Sequence, residues 1–283
     1  MSRMPRTPHV SLHPAFAILL VLLIALLGCS ATAPTSTPTP PTPTPRPTAT
    51  VASSPGPTTV TFPGQATPVK AYQVVPAGQG PFPALIVIHE NRGLTEHIKD
   101  VARRFAAQGY VALAPDLLSR VGGRDKFATD DEAVAGINGL SREGVVEDLQ
   151  STFDYLGGLA YVQQDRIGVI GYCWGGGNSL LMATRVKGLR TTVVYYGPNP
   201  SNLEDVANIS GPMLGIYGEL DTRITVAVAP LAEAMQRHGR SFEYKVYPGA
   251  AHAFFNDTGA RYNAEAAADA WQVTLAFLQK NLK

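Results

Sequence analysis

Residues 169–180 read VIGYCWGGGNSL, an apolar run that breaks into glycines around one cysteine and continues into a helix-forming stretch. The small residues at 171 and 175–177 permit a sharp strand-to-helix turn that pushes the Cys173 side chain out at the end of the strand. The flanking sequence repeats this alternation. PALIVIHE (83–90) and YVALAPDL (110–117) are short apolar runs of the kind that form strands buried on both faces. Between them, EHIKDVARRFAAQG (96–109) sets Ile98, Val101, Phe105 and Ala106 on one helical face and ends at Gly109. Further along, GVVEDLQSTFDYLGGL (144–159) reads as helix, RIGVIGYC (166–173) as strand, GGGNSLLMATRV (175–186) as helix and RTTVVYYG (190–197) as strand. The chain continues with GPMLGIYGELD (211–221) as strand, VAPLAEAMQRHG (228–239) as helix, SFEYKVYPG (241–249) as strand and AAADAWQVTLAFLQKNL (266–282) as helix. This order predicts one α/β domain over 60–283, a mostly parallel sheet with helices on both faces and right-handed crossovers.

The residues before 60 differ in kind. Arg3 and Arg6 precede the uncharged run AFAILLVLLIALLG (15–28), which reads as a signal peptide over 1–28. The ending Leu26-Leu27-Gly28-Cys29 resembles the lipobox of bacterial lipoproteins, in which the cysteine is lipidated and becomes the new N-terminus. Leu27 is a less usual choice there. The alternative is an uncleaved membrane anchor, for which the run falls short of the roughly 20 residues that span a bilayer. From Cys29 to Thr59 the chain is nearly all Pro, Thr, Ser and Ala, and cannot bury a core. It reads as an extended tether, although the same composition suits a leader with no spacing role. The expected location is the extracytoplasmic face of the cell envelope, with the lipid as the membrane contact.

Lysine and arginine total 23 against 22 acidic residues, and there is no basic run, so nothing points to nucleic acid. Only Cys29 and Cys173 are present. With Cys29 lipidated, Cys173 has no partner for a disulfide or a C-x-x-C redox site. A monomer is compatible with the sequence.

In sheets of this type, sites form at the carboxyl ends of strands. Glu90, Cys173, Asp221 and His252 each sit just after one of the predicted strands and would meet at one edge. Cys173 would open a helix, where unpaired amides and the helix dipole favour a thiolate. The bland alternative is a small buried hydrophobe. The chain order Cys173, Asp221, His252 matches the nucleophile, acid, histidine order of α/β-hydrolases. In that arrangement histidine moves the proton and aspartate orients it. His238, near a helix end, reads as a histidine without such a role.

Together HENRGL, GYCWGG, GELD and AHAF resemble the motif set of the dienelactone hydrolase family, in order, across most of residues 70–280. The resemblance implies the α/β-hydrolase fold and hydrolysis of an ester or lactone through an acyl-cysteine. The triad would be Cys173, His252 and Asp221. Glu90 would interact with the resting thiol and help to activate it. The backbone amides of Trp174 and Asn91 would form the oxyanion hole, one following the nucleophile and one on an earlier strand-to-helix loop. The chain departs from the family at Asn256, where an arginine for the substrate carboxylate is expected. Asp257, Asp130, Asp131 and Glu132 add acid nearby. The sequence therefore predicts neutral small-molecule substrates, with Trp174, Phe254, Phe255 and Arg92 as candidate pocket residues, although the three aromatics would equally suit core packing. Arg92 or Arg142 could supply a cation from another direction.

His89-Glu90 opens like H-E-x-x-H, but Gly93 stands in the second histidine's place, so no zinc site is indicated. Neither G-x-G-x-x-G nor a P-loop occurs, and no cofactor is implied. Two rivals remain: the same triad acting on a thioester or activated peptide, and a catalytically silent surface-anchored binding module.

Overall fold

The computed structural model describes residues 56–283. The expected signal peptide, the lipidation site at Cys29 and all but the last four residues of the expected tether lie outside them. Those four residues carry a correction. The first strand, β1, runs Gly56–Phe62 and so begins before the boundary at 60. Its partner β2 (Val69–Val75) is antiparallel, with Gly56 opposite Val75 and Phe62 opposite Val69. Backbone pairing with the next strand makes a strand of a Pro/Thr stretch whose local composition does not suggest one.

The elements that follow are β3 (Phe82–Ile88), α1 (Glu96–Ala107), β4 (Val111–Pro115), α2 (Asp130–Asn138), α3 (Arg142–Gly158), β5 (Val162–Tyr172) and α4 (Trp174–Arg185). After them come β6 (Thr191–Tyr195), β7 (Met213–Gly218), α5 (Thr222–Thr225), α6 (Val228–Arg237), β8 (Phe242–Tyr247) and α7 (Ala264–Leu282). All strands join one sheet in the order β1-β2-β4-β3-β5-β6-β7-β8. From β4 to β8 the pairing is parallel, and only the β1-β2-β4 edge is antiparallel. Every strand and helix named from the sequence is present. The β1-β2 pair, α2 and the short α5 are additions.

The sheet separates two apolar cores. On one face, Val145 and Leu149 of α3, Leu180 and Met182 of α4, and Leu231 and Met235 of α6 pack together. On the other, Ile98, Val101 and Phe105 of α1 meet Phe277, Leu278 and Leu282 of α7. Each such side chain, fully buried, contributes roughly 1.5–3 kcal/mol. β3 runs between the two cores with Ala84 to Ile88 inaccessible to water, which is why it reads as a continuous apolar run. A strand clamped on both faces has a fixed end, and the residues after Ile88 inherit that rigidity.

Helix α2 begins with a capping box, in which Thr129 accepts from the Glu132 N–H and the Glu132 carboxylate returns to the Thr129 N–H. Its acidic first turn suits the positive end of the helix dipole. No helix among the described residues is long and apolar enough to cross a membrane.

Candidate active site

Strand β5 ends at Tyr172, and α4 starts at Trp174. Cys173 between them holds φ at 57°, a backbone conformation that costs a non-glycine residue about 1–3 kcal/mol. Its N–H is tied to the Tyr195 carbonyl at 3.0 Å. Close approach explains the neighbouring glycines. A Cβ at Gly171 would stand 1.9 Å from the Gly175 carbonyl oxygen, and one at Gly175 would stand 2.3 Å from that of His89. The start of α4 is thereby pressed against the end of β3.

Three more strand ends complete the group. Glu90 and Asn91 follow β3, Asp221 caps α5 just after β7, and His252 lies on the turn after β8. Nδ1–H of His252 donates to Asp221 Oδ2 at 2.5 Å, and Nε2 is 3.0 Å from Cys173 Sγ. A carboxylate only accepts, so the Asp221 contact keeps the proton on Nδ1 and leaves Nε2 free to take one from the thiol. Asp221 is buried, whereas Cys173 and His252 are half-buried. The Tyr196 ring, 5.1 Å from the imidazole, backs it on one side.

The backbone N–H groups of Trp174 and Asn91 both lie close enough to the Cys173 sulfur to favour its charged form. They are the two amides that the family resemblance assigns to an oxyanion hole. Burial nonetheless pushes the thiol above its ordinary pKa, and the charge of Glu90 pushes the same way. The two amides and Arg223 oppose the rise without cancelling it. The expected thiolate is therefore disfavoured in the resting site. Desolvation outweighs the helix N-terminus.

Glu90 also differs from its expected contact. Oε2 accepts from Asn256 Nδ2 at 2.8 Å, while Oε1 is buried without a partner. The thiol is hydrogen-bonded to His252 rather than to Glu90. Asn256, expected as a missing cation, is the group that holds Glu90 in place.

A cavity of ≈ 370 Å³ opens over the Cys173 thiol, lined by Glu90, Asn91, Arg92, His252, Asn256 and Arg261 among others. Arg92 reaches it as expected and lies 3.6 Å from Asp130. Arg261 is exposed and, among the described residues, forms no ion pair. The sequence reading missed it, because nothing in GARYN marks a residue that returns to the site. Phe254 and Phe255 are corrected. At 0 and 2 % exposure they belong to the core behind the site, where Phe255 stacks on Tyr172. Trp174 and Arg142 line a neighbouring cavity of ≈ 220 Å³, and Arg142 donates to Ser201. His238 pairs with Glu204 at 2.8 Å, away from the triad. Among the described residues no cluster of His, Cys, Asp or Glu could hold a metal.

The family model for the dienelactone hydrolase family matches residues 69–282. The chain belongs to that family. It is 36 % identical over 224 residues to a protein of Methylorubrum extorquens that carries the provisional name carboxymethylenebutenolidase, covering 75 % of this chain and 77 % of that one. A similarly named protein of Saccharolobus solfataricus is 34 % identical over 249 residues, covering 75 % of this chain and 94 % of the other. Among solved structures, a provisionally named dienelactone hydrolase from Klebsiella pneumoniae superposes with a TM-score of 0.71 at 30 % identity, covering 78 % and 96 % of the two chains. The fold is that of the α/β-hydrolases, and the protein is an ester- or lactone-hydrolase-type enzyme.

Proposed function

We propose that this dienelactone hydrolase family member cleaves a carboxylic ester or lactone through an acyl-cysteine on Cys173, with His252 as proton carrier and Asp221 as its orienting carboxylate. The observation that carries the reading is the position of His252, bonded to Asp221 on one nitrogen and facing the thiol with the other. The Sγ proton passes to Nε2 as sulfur attacks the substrate carbonyl. Charge that develops on the carbonyl oxygen meets the N–H groups of Trp174 and Asn91. Collapse expels an alkoxide, which takes the proton back from Nε2–H. In a lactone that alkoxide remains part of the acyl chain. Water then attacks the thioester, with Nε2 as base, and releases the acid and the free thiol.

A neutral resting thiol suits this sequence of steps, because the proton leaves only when a carbonyl is present to receive the sulfur. Mass spectrometry of enzyme quenched during turnover of p-nitrophenyl acetate should show an acetyl group on Cys173, and Cys173→Ala should be inactive. Hydrolysis that persists in Cys173→Ala would remove the nucleophile assignment. The lipid anchor and export are likewise proposals, supported by Leu26 to Cys29 followed by the Pro/Thr segment. Several acyl chains at about 0.8 kcal/mol per buried CH₂ hold a domain firmly to a membrane. Cys29→Ala should lose a metabolic lipid label, and an unmodified Cys29 in the mature protein would refute the anchor.

A further inference from the structure

His89 belongs to none of the roles above. It is fully buried at the end of β3, next to Glu90. Its Nδ1 lies 2.7 Å from the Glu90 carbonyl oxygen, and the Leu117 N–H approaches its Nε2 at 3.2 Å. One neighbour can only accept and the other can only donate, so the tautomer follows: Nδ1 carries the proton and Nε2 is bare. Burial lowers the ring's pKa below that of a free histidine, which keeps it neutral.

The two contacts bear on the site through peptide geometry. The Glu90 carbonyl and the Asn91 N–H belong to one planar unit and point in opposite directions. Whatever fixes the carbonyl therefore aims the N–H, and that N–H lies close to the Cys173 sulfur. The Gly93 N–H also reaches the Glu90 carbonyl, but more distantly, at 3.2 Å. The flat of the His89 ring lies against Trp174, with centroids 5.5 Å apart and planes 11° from parallel. Trp174 supplies the second N–H close to the sulfur. One neutral ring thus touches the carriers of both donors.

We propose that His89 is a positioning residue for the oxyanion hole: through Nδ1–H it orients the Glu90–Asn91 peptide, and through its ring face it seats Trp174. The inference rests on the acyl-cysteine reading of Cys173. It assigns His89 no proton transfer, and its effect falls on transition-state stabilisation rather than on substrate binding.

Two substitutions separate this from a packing role. In His89→Asn the side-chain Nδ2 donates from near the place of the ring Nδ1, whereas His89→Gln can reach Leu117 but not the Glu90 carbonyl in the same way. Losing aim at one donor should lower kcat of His89→Gln on p-nitrophenyl acetate about 10- to 100-fold, with KM within about threefold and affinity for a trifluoromethyl ketone reduced in parallel. His89→Asn should retain kcat to within about fivefold, even where its thermal midpoint falls as far as that of the Gln variant. Wild-type kcat in His89→Gln, or equal losses in both variants that follow their thermal midpoints, would overturn the proposal. A measurement on the unaltered protein covers the case in which neither variant folds. With ¹⁵N-labelled histidine, His89 should show a protonated Nδ1 and bare Nε2 at pH 8, and a ring that carries Nε2–H there would also overturn it. If hydrolysis survives Cys173→Ala, the acyl-cysteine reading has failed. If Cys173→Ala is dead and His89→Gln is fully active, only the role of His89 has.

Discussion

Asn256 donates to Glu90 Oε2 at 2.8 Å and leaves the buried Oε1 without a partner. A carboxylate so held places negative charge beside a thiol whose pKa it raises. The alkylation rate by iodoacetamide, which reports thiolate, should therefore keep climbing with pH beyond the ordinary thiol range instead of levelling near neutrality. Glu90→Gln removes the charge, lowers the thiol pKa and should speed alkylation at pH 7 roughly three- to tenfold. An unchanged rate-against-pH curve would separate Glu90 from the thiol.

The triad should behave as one device. On the mechanism proposed above, His252→Ala removes the proton carrier and Asp221→Ala the group that orients it, so the histidine loss should be at least as severe. Adding Cys173→Ala to either should cost far less than the product of the single effects, each on the order of 10⁴ or more in kcat. Full multiplicativity in kcat/KM would show that the three act independently.

Substrate charge turns on Arg261. Asn256 lacks the cation expected at its position, yet the cavity is lined by Arg92, 3.6 Å from Asp130, and by Arg261, which forms no ion pair among the described residues. Anionic esters should thus be accepted, and Arg261→Ala should lower their kcat/KM by about three- to tenfold while sparing neutral esters. The difference should shrink as salt rises. Equal effects on both substrate classes would return the reading to the neutral pocket inferred from residue 256.

Gly175 is where chain packing and the donor pair meet. A Cβ there would lie 2.3 Å from the His89 carbonyl oxygen and 2.5 Å from that of Ile88, and backbone cannot swing aside as a long side chain can. Gly175→Ala should cost about 1–3 kcal/mol of stability, measured by urea unfolding, and lower kcat by separating α4 from β3. A variant with wild-type stability and kcat would mean that this contact relaxes freely.

These residues also show what a sequence exposes. Strands such as Ala84 to Ile88 are legible because burial on both faces leaves one unbroken apolar signature. Cys173, Asp221 and His252 are legible because each follows a strand and the three stand in the nucleophile, acid, histidine order of the family motifs. Gly56–Thr59 give no strand signal, because their pairing partner lies across a turn at Tyr72–Val75. Phe254 and Phe255 were misplaced since adjacency to His252 says nothing of side-chain direction, and both point into the core. His89 and Arg261 depend on contacts with Leu117, the Glu90 carbonyl and the cavity, none of which leaves a local mark.

The φ of 57° at Cys173 sets folding and chemistry against each other at one position. Glycine accepts that conformation freely, so a population selected only for thermal tolerance should drift towards Gly at residue 173 and lose its hydrolytic capacity as it does so. A directed-evolution screen for heat resistance in this enzyme therefore has to score turnover in every round, since one relief of backbone strain, glycine at residue 173, removes the thiol proposed to react.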